Sequence, residues 1–281
     1  MKVFVSADME GIAGKTHWEF SKNNADLGEW DRDRRILSEH VNVAIKGAKK
    51  AGASEFVVND SHNTMRNLLI NSIDDKSVEI VSGHPKPLCM MEGIDETFDA
   101  AFLVGYHAKI GSHPGVLNHS FCPLSIRDIR INGKSVGELG VNAGIAGYFN
   151  VPIALVVGDN VMAEEAKSQL GTVEVAVIKK AINMSAAKCL PLSKANEVIE
   201  KMAKRAIEGI GDMSPLVYNT ATTIEVDYFM TNMADAASLI PGTERKSGTT
   251  ISFTSNDFLQ LFKAFQAMFM LGESVRMELN Y

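Results

Sequence analysis

Cysteine is scarce and unpaired. Cys89, Cys122 and Cys189 are the three present, scattered and odd in number. With no CxxC or zinc-finger spacing, neither a disulfide framework nor a cysteine-ligated metal is expected, and a reduced compartment suits them. An uninterrupted apolar run of about 18 residues, the minimum for a membrane-spanning helix, is missing. So is a basic-then-apolar leader. A cytoplasmic location is the expectation. Positive charge is also in deficit. Lys plus Arg numbers 28 against 34 for Asp plus Glu, a net charge of -6, which argues against nucleic acid or an anionic membrane as main partner. No low-complexity segment and no repeat of about 20–50 residues is evident. What is there is an ordinary globular mix, 46% hydrophobic and 22% charged over 281 residues. That length suffices for one large domain or two smaller ones with a substantial core.

The first informative stretch runs from Met1 to Gly14. Val3, Phe4, Val5 and Ala7 read as a buried strand. It ends in Asp8 and Glu10, two carboxylates one residue apart. Positions i and i+2 of an extended chain point the same way, so both acids converge if strand geometry persists past Ala7. Convergent carboxylates repel unless a cation lies between them or one keeps its proton. A bound cation is one reading; an ordinary strand-to-helix turn with an acidic helix start is the other. Gly11 and Gly14 supply the bend.

The pattern recurs along the chain. A polar loop to about Leu27, holding His17, Trp18, Asn23 and Asn24, is placed to lie over a site. Trp30 to Lys50 carries a helical pattern closed by Ala51-Gly52-Ala53. Phe56, Val57 and Val58 form a strand ending in Asp60 and His62, so strand–helix–strand makes a parallel unit. Val78–Ser82 is short and apolar. Ala100-Ala-Phe-Leu-Val-Gly-Tyr106 leads to His107, and Pro152-Ile-Ala-Leu-Val-Val-Gly158 leads to Asp159 and Asn160, followed by a helix from Met162 to Leu170. Four strand ends thus deliver metal-type side chains, where open parallel sheets bind ligands. Asn132-Gly133, between Ile131 and Val136, predicts a hairpin. Glu138 follows, and then Leu139 to Tyr148, whose small residues suit a helix packed closely on the sheet or the metal site. Beyond about Cys189 the texture changes, to an amphipathic helix from Ser193 to Ile210, strands at Thr222–Phe229 and Thr249–Phe253, and a short helix at Asn232–Leu239. A last helix spans Asn256–Glu273, whose Phe258, Leu261, Phe262, Phe265, Met268, Phe269 and Leu271 read as core or subunit interface. The expected fold is α/β. A mostly parallel sheet with helices on both faces forms a metal-binding catalytic domain over 1–190. A smaller α+β domain over 191–281 offers an oligomer contact.

The seven histidines sort by position. His17 and His40 are expected to face solvent, and His84 and His113 sit in turns before proline. His62 and His107 each follow a strand and join Asp8 and Glu10 as a coherent ligand set. His119, away from any strand end, is the spare imidazole for proton transfer.

Six collinear segments together resemble the self-compartmentalising zinc D-aminopeptidase family. They are Ser6-Ala-Asp8-Met-Glu10-Gly-Ile, Val58-Asn-Asp60-Ser-His62, Gly105-Tyr-His107-Ala, Pro114-Gly-Val-Leu-Asn-His119-Ser, Val136-Gly-Glu138-Leu-Gly, and Pro241-Gly-Thr-Glu244 with Gly248-Thr-Thr250. The resemblance implies two zinc ions per chain held by Asp8, Glu10, His62, His107 and Glu138, with His119 catalytic. It also implies ring-like decamers with sites facing an inner chamber. Residues from about Lys15 to Trp30 and from Ser193 to Tyr218 fall outside the matching segments. On this reading Asp8 is the bridge, because five ligands are too few for two separate tetrahedral ions. The implied reaction is hydrolysis of N-terminal, D-configured residues from short peptides or amino-acid amides by metal-activated water. Asp60, Asp159 or a zinc ion is available to seat the substrate amine. Two other readings stand beside it. One is a dinuclear phosphoesterase, which lacks a phosphate cradle here. The other is a non-catalytic assembly protein stapled by metal.

Overall fold

A computed structural model of the chain describes residues 1–18, 24–73, 75–218 and 220–276. Residues 19–23 of the expected loop, Asn23 included, lie outside the described residues. The chain opens with β1 (Lys2–Ala7), α1 (Asn24–Lys49), β2 (Glu55–Asp60), β3 (Val78–Val81) and β4 (Ala100–Val104). A hairpin of β5 (Ile126–Ile131) and β6 (Lys134–Val136) leads into α2 (Glu138–Tyr148). Next come β7 (Ile153–Asp159), α3 (Asn160–Leu170), β8 (Glu174–Asn183), β9 (Ala186–Cys189) and α4 (Leu192–Glu208). The remainder holds β10 (Thr222–Tyr228), α5 (Thr231–Ala237), β11 (Glu244–Arg245), β12 (Thr250–Ser255) and α6 (Phe258–Arg276). Among the described residues no helix is long and apolar enough to cross a membrane.

One sheet of seven strands has the order β3-β2-β1-β4-β7-β8-β9. Its strands are parallel except β9, which folds back antiparallel on β8. The order reverses at β1, with β2 and β3 on one side and β4, β7 and β8 on the other. Such a reversal opens a crevice beyond the carboxyl ends of the two central strands. β1 is buried on both faces, which explains its continuous apolar run. Val3, Val5 and Ala7 pack with Leu37, Val41 and Ala44 of α1 and Ile199 and Ala203 of α4. On the opposite face Phe4, Leu103 and Val156 share a core with α2, α3 and α6. The mostly parallel α/β architecture read from the sequence is the one observed.

The second sheet is antiparallel, in the order β11-β12-β10-β5-β6. Asn132 and Gly133 take φ of 50° and 77°, the two positive values a two-residue hairpin turn requires. The division expected near residue 190 does not coincide with the division between sheets. β5, from before that point, pairs with β10 in the second sheet and carries its hairpin partner β6 with it. In return α4, from after it, packs on α1 and the first sheet.

Two local readings change, and one unassigned segment gains strands. α1 begins at Asn24, earlier than Trp30. β8 and β9 occupy a segment to which the sequence pattern assigned no element. His40 is fully buried rather than solvent-facing, because it lies three residues after Leu37 on the stripe that α1 turns to the sheet. Burial, together with nearby Lys179, pushes its imidazole down to about 3, so it is neutral at pH 7.

The crevice is set by two glycines that pack backbone on backbone. Gly11 donates its N–H to the Gly105 carbonyl at 2.6 Å. A Cβ on Gly11 would lie 2.1 Å from the Tyr106 carbonyl oxygen. Replacing Gly11 by alanine is expected to cost about 2–3 kcal/mol by overpacking, read as a lower urea midpoint at unchanged m-value. Gly14, at φ +80° with open space around its Cβ position, is the control, with an expected cost of about 1 kcal/mol. Equal costs at the two positions would show that close approach is not what Gly11 provides.

Candidate metal centre

Strand β1 stops at Ala7, so extended geometry is not what brings the two acids together. A turn does. Asp8 donates its backbone N–H to the Val104 carbonyl at 2.8 Å, and the chain then folds back over Gly11. Asp8 Oδ1 and Glu10 Oε2 lie 3.3 and 3.0 Å from His62 Nδ1, delivered by the loop after β2. On the other side His107 Nε2, from the loop after β4, is 3.5 Å from Asp8 Oδ2 and 3.3 Å from Glu138 Oε2. Each oxygen of Asp8 therefore faces a different histidine. His119 stacks on His107, with ring centroids 4.0 Å apart and 12° between planes. Its Nε2 points to Glu138 Oε1 at 3.6 Å. All six predicted site residues meet here, and all six are buried.

Three carboxylates and three imidazoles in one dry place perturb one another. Burial, reinforced by Glu10, pushes the Asp8 carboxyl up to about 7. Burial acts the same way on Glu10, but the adjacent His62 outweighs it and holds Glu10 well below the carboxylate range. Glu138 is likewise opposed by burial and held low by His107. Burial alone would depress His107, yet Glu138 and Asp8 raise it to about 10. His119 is lowered by burial and by the neighbouring His107.

Two atoms of this cluster remain unsatisfied. Asp8 Oδ2 and His107 Nε2 are buried without a hydrogen bond, although unpaired buried groups of this kind are costly. A divalent cation between them satisfies both. Two overlapping sets, Asp8/Glu10/His107 and His107/His119/Glu138, each offer ligand atoms within 4.8 Å of one another. Imidazole nitrogen and carboxylate oxygen, without sulfur, is a donor set that fits zinc.

The surroundings hold these ligands from several directions. The His119 Nδ1 lies 2.9 Å from the Leu117 carbonyl, which assigns the ring proton to Nδ1 and leaves Nε2 as the lone-pair atom. Glu138 is the first residue of α2, and its Oε1 accepts the Phe121 backbone N–H at 2.7 Å. Small residues in α2 do allow close packing: a Cβ on Gly144 would strike the Phe258 ring of α6 at 2.2 Å.

Two lysines not singled out in the sequence matter here. Lys179 of β8 is buried and donates to the carbonyls of Glu10, Ile12 and Lys15 at 2.5, 3.1 and 2.8 Å, clamping the turn that carries Glu10. Lys86 donates to Asn59 Oδ1 and the Asp60 carbonyl at 2.5 and 2.6 Å, steadying the approach to His62. The available signal was a lysine inside an otherwise apolar segment, Val175-Ala-Val-Ile178-Lys179.

The acids offered as seats for a substrate amine are used elsewhere. Asp60 accepts the backbone N–H groups of Asn67 and Leu68 at 2.5 and 2.7 Å, and the Asn67 side chain at 2.9 Å. Asp159 caps α3 through Val161 and Met162, both at 2.8 Å, and accepts the Val116 N–H at 2.8 Å. Neither lines the cavity that opens on the cluster.

That cavity measures about 540 Å³, within the range of small-ligand sites. Asp8, Glu10, His62, Glu138 and His119 line it, with Met65, Met90, Phe121 and Phe269 as an apolar wall. Trp18, at the N-terminal end of the expected loop, meets His119 edge-on at 4.9 Å. The aromatic stripe of α6 is mostly core, with Phe258, Leu261, Phe262, Phe265 and Met268 buried, while Phe269 and Met270 reach the cavity.

Comparison with known proteins follows the same outline. The family model described as D-aminopeptidase matches residues 1–267. The D-aminopeptidase of Bacillus subtilis (strain 168) is 38% identical over 277 residues, covering 97% of each chain. A solved structure of the Zn-dependent D-aminopeptidase DppA from Bacillus subtilis, a self-compartmentalizing protease, superposes with a TM-score of 0.91 at 36% identity. It covers 97% of this chain and 98% of that one. With a family model spanning nearly the whole chain and a relative of this identity, the chain belongs to the D-aminopeptidase family.

Proposed function

We propose that this protein is a zinc-dependent aminopeptidase that removes N-terminal residues, D-configured by preference, from short peptides or amino-acid amides. The observation that carries the reading is Asp8. Its two oxygens face two histidines in two half-sites, one completed by Glu10 and His62 and the other by His107 and Glu138. This arrangement supports two ions per chain with Asp8 as their bridge. When bound, zinc supplies a Lewis acid for the scissile carbonyl and lowers the pKa of a water to near 7.

The remaining chemistry belongs to the chain. His119, neutral and with its Nε2 lone pair turned into the site, accepts a proton there and returns it to the leaving amine. The Leu117 carbonyl orients that ring through Nδ1–H, and the stacked His107 supports its face. Trp18 and the apolar wall keep bulk water away from the reacting bond. A cavity of about 540 Å³ opening on the ligands argues against a purely structural staple, since structural zinc sites are closed. Family membership favours peptide bonds over phosphoesters. Assembly into a homo-oligomer, a decamer with enclosed sites, is part of the same proposal. It rests on the self-compartmentalizing relative. A cytoplasmic location is the companion expectation from the unpaired cysteines.

His119→Ala is expected to lower kcat on a D-aminoacyl p-nitroanilide by about 10²-fold or more, with bound zinc near two per chain by atomic emission. Loss of zinc in that variant would make His119 a ligand instead, and full activity would remove it from the reaction. Asp8→Ala is expected to lose both ions and the zinc-dependent rise in Tm that binding to the native state brings. A variant retaining two ions would rule Asp8 out as the bridge. Paired D- and L-aminoacyl amides, assayed with the zinc-loaded enzyme, test the configurational preference.

A further inference from the structure

The cavity has a second charged region away from the metal ligands. Phe269, Glu273 and Arg276 line it from one face of α6, at the spacings that bring helical residues into register. Arg276 is the one lysine or arginine among the described residues of the lining. Its Nε donates to Glu273 Oε1, which fixes the plane of the guanidinium. The two terminal nitrogens make no hydrogen bond or ion pair among the described residues. The other oxygen, Glu273 Oε2, is buried without a partner, so Glu273 acts as a one-point buttress and leaves the outer edge of the arginine open. Arg276 is about a quarter exposed, 26%, enough for a ligand to reach it from the cavity.

An open guanidinium edge matches a carboxylate, with two parallel N–H···O bonds. The lining that Arg276 shares with the metal ligands includes the apolar Met90, Phe121, Cys122 and Phe269 and the polar Ser61, Asn63 and His84. A ligand that reaches both the cluster and Arg276 therefore presents a polar reacting end to the first and an anionic end to the second. Building on the aminopeptidase reading, we propose that Arg276 anchors the free α-carboxylate of the substrate. The substrate class is then short peptides with an unblocked C-terminus, in preference to amides and to internal stretches of longer chains. The distance from cluster to arginine becomes a ruler for peptide length.

The test compares D-alanylglycine with D-alanylglycinamide, using the zinc-loaded full chain. The wild type is expected to favour the free acid by about tenfold or more in kcat/KM, carried by KM, the scale of a charge-assisted bidentate contact. In Arg276→Met, which keeps the apolar stem, that ratio is expected to fall to near one, with Arg276→Lys intermediate. A wild-type ratio near one, or a ratio unchanged in Arg276→Met, overturns the proposal, and so does an equal loss on both substrates. Calorimetric binding of the same two compounds to metal-free protein separates the anchor from the chemistry. If the wild type hydrolyses neither compound, the peptidase reading fails. The anchor then stands or falls on whether metal-free wild type binds the acid more tightly than the amide and Arg276→Met does not.

Discussion

Asp8, Glu10 and Glu138 are held in one buried pocket, and their mutual repulsion is the constraint on which the rest of the structure depends. Carboxylates in such a place keep a proton, find cations, or move apart. This fold prevents them from moving apart. Asp8 is tied to β4 through its backbone, Glu10 sits on a turn clamped by Lys179, and Glu138 starts a rigid helix. Histidines from two further loops supply part of the compensation. What is left over is visible as the unsatisfied pair Asp8 Oδ2 and His107 Nε2. The scaffold stores electrostatic cost that a divalent cation relieves, which is how rigid sites gain affinity without flexible rearrangement.

Much of this was legible in the sequence, for definite reasons. Strands buried on both faces read as short apolar runs, so β1, β2, β4 and β7 stood out, and each ended in its polar residue. Asn132-Gly133 announced its hairpin because positive φ at two successive positions is a narrow requirement. Glu138 was different. Nothing about its spacing marks it as a ligand, and only resemblance to a family pointed to it.

The rest was hidden where burial overrides residue type. Lys179 looks like a surface residue until three carbonyls are found around its ammonium group, and with it β8 passed unnoticed. His40 looked polar on a charged helix, yet its position relative to Leu37 and Val41 places it inside. Asp60 and Asp159 carried strand-end signals as strong as Asp8, but their oxygens are spent on backbone N–H groups and, at Asp60, on the Asn67 side-chain amide. A strand-end acid and a ligand are therefore indistinguishable until the local donors are counted. The second sheet escaped for another reason: β5 pairs with β10 across about 90 intervening residues, a non-local pairing that periodicity does not reveal.

The ligand set is divided between the two sheets. Asp8, Glu10, His62 and His107 hang from the parallel sheet, whereas Glu138 follows directly on β6, a strand of the antiparallel one. Rotation of one sheet against the other is thus a change in the separation of Glu138 from Asp8. The centre doubles as a strain gauge for the join between the two sheets, and a divalent cation held there is also a rivet across it.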